Sequence, residues 1–483
     1  MFKTKKLLNN KKQPSFIITI TPIIFLGILI IYGMVLRPKV FHQPGFPLEV
    51  VFMMAAFFAI AELLLLGYEW TDIQKSIVKK LSKGFPAILI LFAIGVIIGT
   101  WIISGTIPML IHFGINLIHP SYIYILAFII PIVFSTLTGT SWGSIGTIGV
   151  VIIGVAAVID ANLGITAGAI VGGAFFGDKL SPLSDTTNIA AMATEVDLYD
   201  HIQSMMITTL PSAIIAAIIY FILGFIYPPS FLSGETQQVS ITLSAISSIF
   251  NFNIWLLIPP LIVLIGSIKK MATLPTLLTS SLSAATLALI FQPYTSTDIM
   301  ATINKGFNTK MAFWVHDLPD NISILFNRGG LYELNEAIIF SIMVFIFIGT
   351  IDLINAMPSI VNKTFGQKKS KSSIIISSLF ATAFTNGITS NQSATSFIIG
   401  DAFGKRYDDN GISRKVLSRS IEDYGTMFES LVPWHATAIF LTTTLGVSYS
   451  EYWNWQLLSL INLVIAPTLA ILGKGCYYKK NSQ

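Results

Sequence analysis

Residues 177–188, from Gly177 to Asn188, read GDKLSPLSDTTN in the middle of an otherwise apolar chain. Asp178, Lys179, Asp185, a proline and four hydroxyl side chains stand within these twelve residues. Ionisable groups in hydrocarbon cost free energy unless they are paired or face water, so such a cluster marks a site. Pro182 lacks a backbone donor and pushes Ser181 out of the helical region, so the helix is expected to break here and free carbonyl oxygens as ligands. A break at membrane depth is tolerated only beside a cavity or within protein. The stretch thus points to a helical membrane protein organised around a broken helix.

The rest of the chain agrees. Of 483 residues 53% are hydrophobic and only 11% charged, and the mean hydropathy is +0.73. Repeated apolar runs of about 20 residues identify an all-α polytopic membrane protein. A single cysteine, Cys476, excludes an internal disulfide and offers no thiolate metal site. The +5 net charge is no nucleic-acid signal, because the basic residues sit in short loops and tails, where membrane topology puts them.

Lys3, Lys5, Lys6, Lys11 and Lys12 precede the first span, Ile17 to Leu36, and place the N-terminal tail, 1–16, in the cytoplasm. Leu48 to Leu66 returns, and Lys75, Lys79, Lys80 and Lys83 are expected in a cytoplasmic loop. From Gly84 to Asp178 there is no Lys or Arg. That segment holds a span from about Pro86, an amphipathic piece near His112 to His119, and two apolar pieces split by TGTSWGS at Thr138 to Ser144. A half-helix then runs from Gly164 to Phe176. These elements make a first transmembrane repeat at 17–227, followed by a linker at 228–252 and a second repeat at 253–473. Within the second, Gln292 to Glu333 reads as a long loop, and Ile374 to Phe384 and Ala394 to Phe403 as a pair split by TNGITSNQS at Thr385 to Ser393. Lys474, Lys479 and Lys480 return the C-terminal tail, 474–483, to the cytoplasm.

The first split pair enters and leaves on the uncharged side, the second on the lysine-rich side, so the two hairpins are expected to be re-entrant with opposite orientation. Thr140 precedes Asp178 by 38 residues and Asn386 precedes Glu422 by 36, and the second polar break reads EDYGTMFESLVPWH at Glu422 to His435. About 10–12 transmembrane segments in two inverted repeats, each with a re-entrant hairpin and a broken helix, is the architecture of secondary transporters.

The carboxylates Asp178, Asp185, Glu422 and Asp423 are the candidate cation and proton carriers, because carboxylate oxygens in a low-dielectric site accept either. Na⁺ is assigned to Asp185 and Asp178. Thr138, Thr140, Ser141, Ser144, Ser181, Ser184, Thr186, Thr187, Asn188, Asn386, Ser390, Asn391, Ser393 and Thr426 offer neutral oxygens of the kind hard cations take, with capping of the following half-helix as the plainer role among Ser181, Ser184, Thr186, Thr187 and Asn188. Lys179 either pairs with its neighbour Asp178 or faces the substrate, and His435 is a candidate pH sensor. Glu429 is a further second-half acid. GTSWG at Gly139 to Gly143 fits G-x-S-x-G, but it interrupts membrane segments instead of joining a strand to a helix, so no hydrolase is read from it. No Walker loop is present, which sets ATP-driven transport aside.

At TGTSWGSIGTIG (Thr138 to Gly149), GDKLSPLSDTTN, RGGLYEL (Arg328 to Leu334), SRSIEDYGTMFESLVPW and TTTLGV (Thr442 to Val447) the chain resembles the NhaC family of Na⁺/H⁺ antiporters. Asp178, Ser181, Asp185, Thr186, Thr187, Asn188, Glu422, Asp423 and Thr426 match family motif positions, while His435 and Glu429 depart from the pattern. The resemblance implies a non-enzymatic exchanger of Na⁺ for H⁺ that needs no cofactor, forms an elevator-like homodimer and lies in a prokaryotic plasma or inner membrane. It also implies an alternative, Na⁺/H⁺-coupled exchange of small carboxylates of the malate/lactate type or of amino acids.

Overall fold

The computed structural model describes residues 14–117, 119–229, 236–269, 271–316, 318–365 and 370–477. The basic cluster Lys3 to Lys12, together with Lys368, Lys369, Lys479 and Lys480, lies outside them. Among the described residues there are helices and no strands. Ten helices are long and apolar enough to cross a membrane, or up to twelve if each of two bent pairs is one span. The protein is a multi-pass membrane protein.

The first spans match the sequence reading closely: α1 is Phe16–Lys39 and α2 Leu48–Leu65. The lysines expected in the next loop instead sit on α3, Trp70–Ile103, one unbroken helix of 34 residues. At 1.5 Å per residue it is about 50 Å long, well beyond the roughly 30 Å of a hydrocarbon core. Lysine is a good helix former, so a basic run can extend a span as readily as interrupt it.

Two compact units are present, Met1–Pro86 with Ile339–Lys368, and Ala87–Ile338 with Lys369–Gln483. In the first, Phe52 meets the edges of Phe340 and Phe347, and Ser76 donates to the Gly349 carbonyl at 2.6 Å. Asp352 is held by Lys80 at 2.9 Å, with the carboxylate 37% exposed. Partly exposed pairs contribute little, so Lys80→Ala is expected to lower stability by no more than about 1 kcal/mol. Thermal unfolding in detergent checks it, and a larger loss would show that the pair organises this unit.

The second unit holds the site. In order, its helices are α4 Thr106–Leu117, α5 Ile123–Thr138, α6 Ser141–Val158, α7 Leu163–Leu180, α8 Asp185–Ala193 and α9 Leu198–Ile226. The linker carries α10, Thr236–Ile249, and α11 and α12 follow at Ile258–Ile268 and Thr273–Phe291. The long loop expected at 292–333 contains α13, Ser296–Lys305, and α14, Asp320–Phe326. Thr295 and Asp298 form a capping box at the start of α13, a local start signal present in the sequence. Then come α15 Asn335–Asp352, α16 Ala356–Phe365, α17 Lys371–Thr389, α18 Gln392–Asp409, α19 Arg414–Tyr424, α20 Thr426–Glu429, α21 Ala436–Leu445, α22 Tyr449–Trp455 and α23 Leu457–Leu472. α15 and α16 belong largely to the first unit. The segments Ser240–Ile249 and Ile254–Ile268 meet at 97°, a bend that the apolar pattern does not announce.

At the centre of this unit α7 lies against α5 along a stripe of small residues. A Cβ on Gly173 would stand 2.1 Å from the Phe128 carbonyl oxygen, and one on Gly177 2.5 Å from the Thr136 nitrogen. Glycines four apart let the two backbones touch.

Candidate functional site

The expected break in GDKLSPLSDTTN is present. α7 continues to Leu180, Ser181 is extended at φ −79° and ψ 129°, and α8 starts at Asp185. Pro182 accounts for the extended Ser181. Ser184 caps α8 by accepting from the Thr187 N–H, and its hydroxyl also meets that of Thr186 at 3.0 Å. Thr187 donates back to the carbonyls of Lys179 and Asp178 at 3.1 and 3.3 Å, tying the two sides of the break together. Ser181 donates to the Thr136 carbonyl, and Asn188 to those of Pro182 and Ser184.

The break in the first half is built from Gly139 and Thr140. Gly139 is left-handed at φ 67° and ψ 25°, which glycine takes without a Cβ penalty. Thr140 is extended and caps α6 by accepting from the Gly143 N–H. Thr138 and Ser144 share a hydroxyl contact of 3.1 Å. Ser141, next to the cap, donates to Asp178 at 2.6 Å.

In the second half, the turn comes later than expected. α17 remains helical through Thr385 and Asn386 to Thr389, and the chain turns only at Ser390, φ 45°, and Asn391, φ −151°. Asn386 turns its amide to Glu429 at 3.4 Å and so leaves its backbone in the helix. Asn391 caps α18 by accepting from Ala394 N–H at 2.8 Å. Ser393 is half-buried in the first turn of α18. The break at Glu422 to His435 is double: α19 ends at Tyr424, Gly425 intervenes, and after α20 the chain reaches His435, whose Nδ1 caps α21 by accepting from the Thr437 N–H.

These pieces bring Asp178, Lys179, Glu422, Asp423 and Glu429 into the protein interior, none of them more than 8% exposed. Lys179 forms a buried ion pair with Asp423, not with its neighbour Asp178. Asp423 also accepts from Thr208 at 2.9 Å and Asn462 at 3.2 Å, and Arg419 stands 3.9 Å away. The charge of Asp423 is thus compensated, with all its hydrogen bonds on Oδ1. Glu422 accepts from Thr426 at 2.6 Å and from Gln392 at 3.4 Å. Glu429 accepts from Thr437 at 2.8 Å as well as from Asn386. Asp178 has no ion pair among the described residues, and its second oxygen, Oδ1, is buried without a hydrogen-bond partner among them; Asp423 Oδ2 also lacks a hydrogen bond, but there the charge is met by Lys179 and Arg419.

Asp185 stands apart. It is exposed at the first turn of α8, where its Oδ1 accepts from the Thr186 N–H, yet it is near enough to act electrostatically on Asp178. The sequence reading did not foresee Thr208, Asn462, Gln392, Thr437 or Arg419. Arg419 had a signal, since it precedes Asp423 by one helical turn; single polar residues such as Thr208 and Asn462 in apolar spans have none.

The sequence profile of the Na⁺/H⁺ antiporter family matches residues 173–474, which include both the α7–α8 break and the whole second half of the site. The chain is 37% identical over 470 residues to an uncharacterized Na⁺/H⁺ antiporter of Haemophilus influenzae, covering 97% of this chain and 98% of the relative. It is 32% identical to the malate-2H⁺/Na⁺-lactate antiporter of Bacillus subtilis, covering 95% and 96%. With the Na⁺/H⁺ antiporter NhaC of the same organism it shares 31% identity, covering 96% and 99%.

Proposed function

The chain belongs to the Na⁺/H⁺ antiporter family, and on that premise we propose that it exchanges Na⁺ for H⁺ by alternating access between two inverted repeats, with Asp178 holding either ion. The observation that carries this reading is the open Oδ1 of a buried Asp178 that no Lys or Arg neutralises among the described residues. An isolated carboxylate in a dry interior is too costly to leave charged and unpaired. It must take a proton or a hard cation, and the two compete for the same oxygens. Ser141 keeps the other oxygen fixed at 2.6 Å, so the open one is presented in a constant direction. Asp185, exposed at the start of α8, would draw cations toward the site. Hydroxyls of the Thr138 to Ser144 break complete the oxygen-rich surroundings.

The buried state of the four interior carboxylates fits an occluded conformation, from which one side must open to release an ion. A homodimer in the plasma membrane with cytoplasmic termini is part of the same proposal.

The second reading, Na⁺-coupled exchange of a small carboxylate, draws support from the malate-2H⁺/Na⁺-lactate relative. It needs a cation free to meet the organic anion, and Lys179 and Arg419 both face Asp423 instead.

Purified protein in liposomes separates the two. With no organic solute, Na⁺ added outside is expected to alkalinise the lumen, and Asp178→Asn to reduce the initial rate at least 100-fold. Proton movement that starts only when malate, lactate or an amino acid is supplied would overturn simple exchange.

A further inference from the structure

The two helix breaks repeat one construction at a fixed displacement of 251 positions, the distance from Thr140 to Asn391. Gly139 and Ser390 are both left-handed, at φ 67° and 45°. Thr140 and Asn391 are both extended and cap the next helix through Gly143 N–H and Ala394 N–H. Thr138 meets Ser144 at 3.1 Å, and Thr389 meets Thr395 at 3.0 Å. Ser144 and Thr395 each donate back to the carbonyl of the capping residue. The helices that follow begin at Leu163 and Arg414, again at the same displacement.

That displacement carries Asp178 onto Glu429, not onto Glu422 or Asp423. The spacing read from the sequence alone set Asp178 against Glu422, because it took Asn386 for the turn. With Ser390 and Asn391 as the turn, the register moves to Glu429.

Glu429 shares with Asp178 the lack of a counter-charge among the described residues, although each of its own oxygens accepts a hydrogen bond. It is buried, its donors Asn386 and Thr437 are neutral, and it has no ion pair among the described residues. The charged groups acting on it are Asp178 and Glu422, both acidic. Lys179 and Arg419 lie on Asp423, Lys179 also acts on Glu422, and His435 uses Nδ1 to cap α21. Four buried carboxylates, Asp178, Glu422, Asp423 and Glu429, therefore face two buried cations, Lys179 and Arg419. Two negative charges stay uncompensated, and a buried uncompensated charge has to be neutralised by something taken up from outside.

We infer that Glu429 is a second carrier of a proton or monovalent cation, the second-half counterpart of Asp178, so that the unit takes up two positive charges and gives up two protons when Na⁺ loads. This rests on the Na⁺/H⁺ reading above. Of the three carboxylates other than Asp423, the repeated construction picks out Asp178 and Glu429, and Glu422 is the one that lies within the influence of the Lys179 and Arg419 charges shared with Asp423.

The test counts protons without transport. Purified protein in weakly buffered detergent solution receives saturating Na⁺, and a pH-sensitive dye reports protons released per chain. The expected result is two from the unaltered protein, one from Glu429→Gln and one from Asp178→Asn, with Glu429→Asp restoring two. A count of one from the unaltered protein overturns the inference even if Glu429→Gln fails to fold, and so does a folded Glu429→Gln that releases as many protons as the parent. No release at all from the unaltered protein would reject Na⁺/H⁺ exchange itself, which keeps the two failures distinct.

Discussion

Lys179→Met is expected to lower the stability of the folded protein by about 3–5 kcal/mol, because it leaves Asp423 buried with its main counter-charge gone. Asp423 is 1% exposed and Lys179 is fully buried, so neither can rearrange to reach water. Arg419 is too far, at 3.9 Å, to replace the missing ammonium by a direct hydrogen bond. The donors Thr208 and Asn462 remain, but neutral donors offset only part of a buried charge. Removing the charge as well should reverse most of the loss. Asp423→Asn keeps an oxygen for Thr208 and Asn462 to donate to, and the double variant Lys179→Met with Asp423→Asn is expected to recover all but about 1 kcal/mol. Thermal unfolding of the two single variants and the double, followed by size-exclusion chromatography in detergent, gives the coupling directly. Additive losses would mean that the ion pair is not what holds α7 to α19.

The same pair bears on exchange. A lysine beside a proposed Na⁺-binding aspartate is at first sight a competitor for the site. By taking Asp423 on another helix, Lys179 leaves Asp178 without a counter-ion and joins the two halves of the chain at once. In the exchange proposed above, the Lys179–Asp423 pair thus leaves its sequence neighbour Asp178 available to carry an ion.

Much of this was legible in the residues. The Pro182 break, the break at Thr138 to Ser144 and capping within Ser181 to Asn188 rest on local rules of backbone geometry, and the structure has a Gly139 turn, a Thr140 cap and a Ser184 cap inside those stretches. The second turn lies within the predicted break at Thr385 to Ser393 but not at Asn386, the residue from which the spacing was counted; Ser390 carries a Cβ and gives no left-handed signal. Here tertiary contact overrode local preference: the Asn386 amide was claimed by Glu429. Of the partners of Asp423, Thr208 and Asn462 were not legible, since they lie 215 and 39 residues from it and look like ordinary polar residues in apolar spans. Asp185 was expected to be a principal ligand; the structure places it at the exposed first turn of α8, where the motif's charge density alone could not say which of its two aspartates turns inward.

Gly173→Ala, the addition of one methyl group, is expected to reduce folded yield severely, by far more than its size suggests. The new carbon would stand 2.1 Å from the Phe128 carbonyl oxygen. That atom belongs to the α5 backbone and cannot swing aside as a side chain would. Overpacking of this kind costs about 1–3 kcal/mol where side chains can repack, and more is expected where α5 and α7 must separate. Separation propagates directly to the site, because α5 leads into the Gly139 turn and α7 carries Asp178. The 2.6 Å contact from Ser141 to Asp178 spans that junction. Variants that do fold should therefore lose Na⁺-dependent proton movement in liposomes as well. Gly27→Ala supplies the comparison, since Gly27 lies inside α1 with nothing within 4 Å of an added Cβ. There the usual helix preference applies, and stability should rise by roughly 0.5–1 kcal/mol. Equal behaviour of the two variants, in thermal unfolding and in exchange, would show that α5 and α7 do not need backbone contact to hold the site.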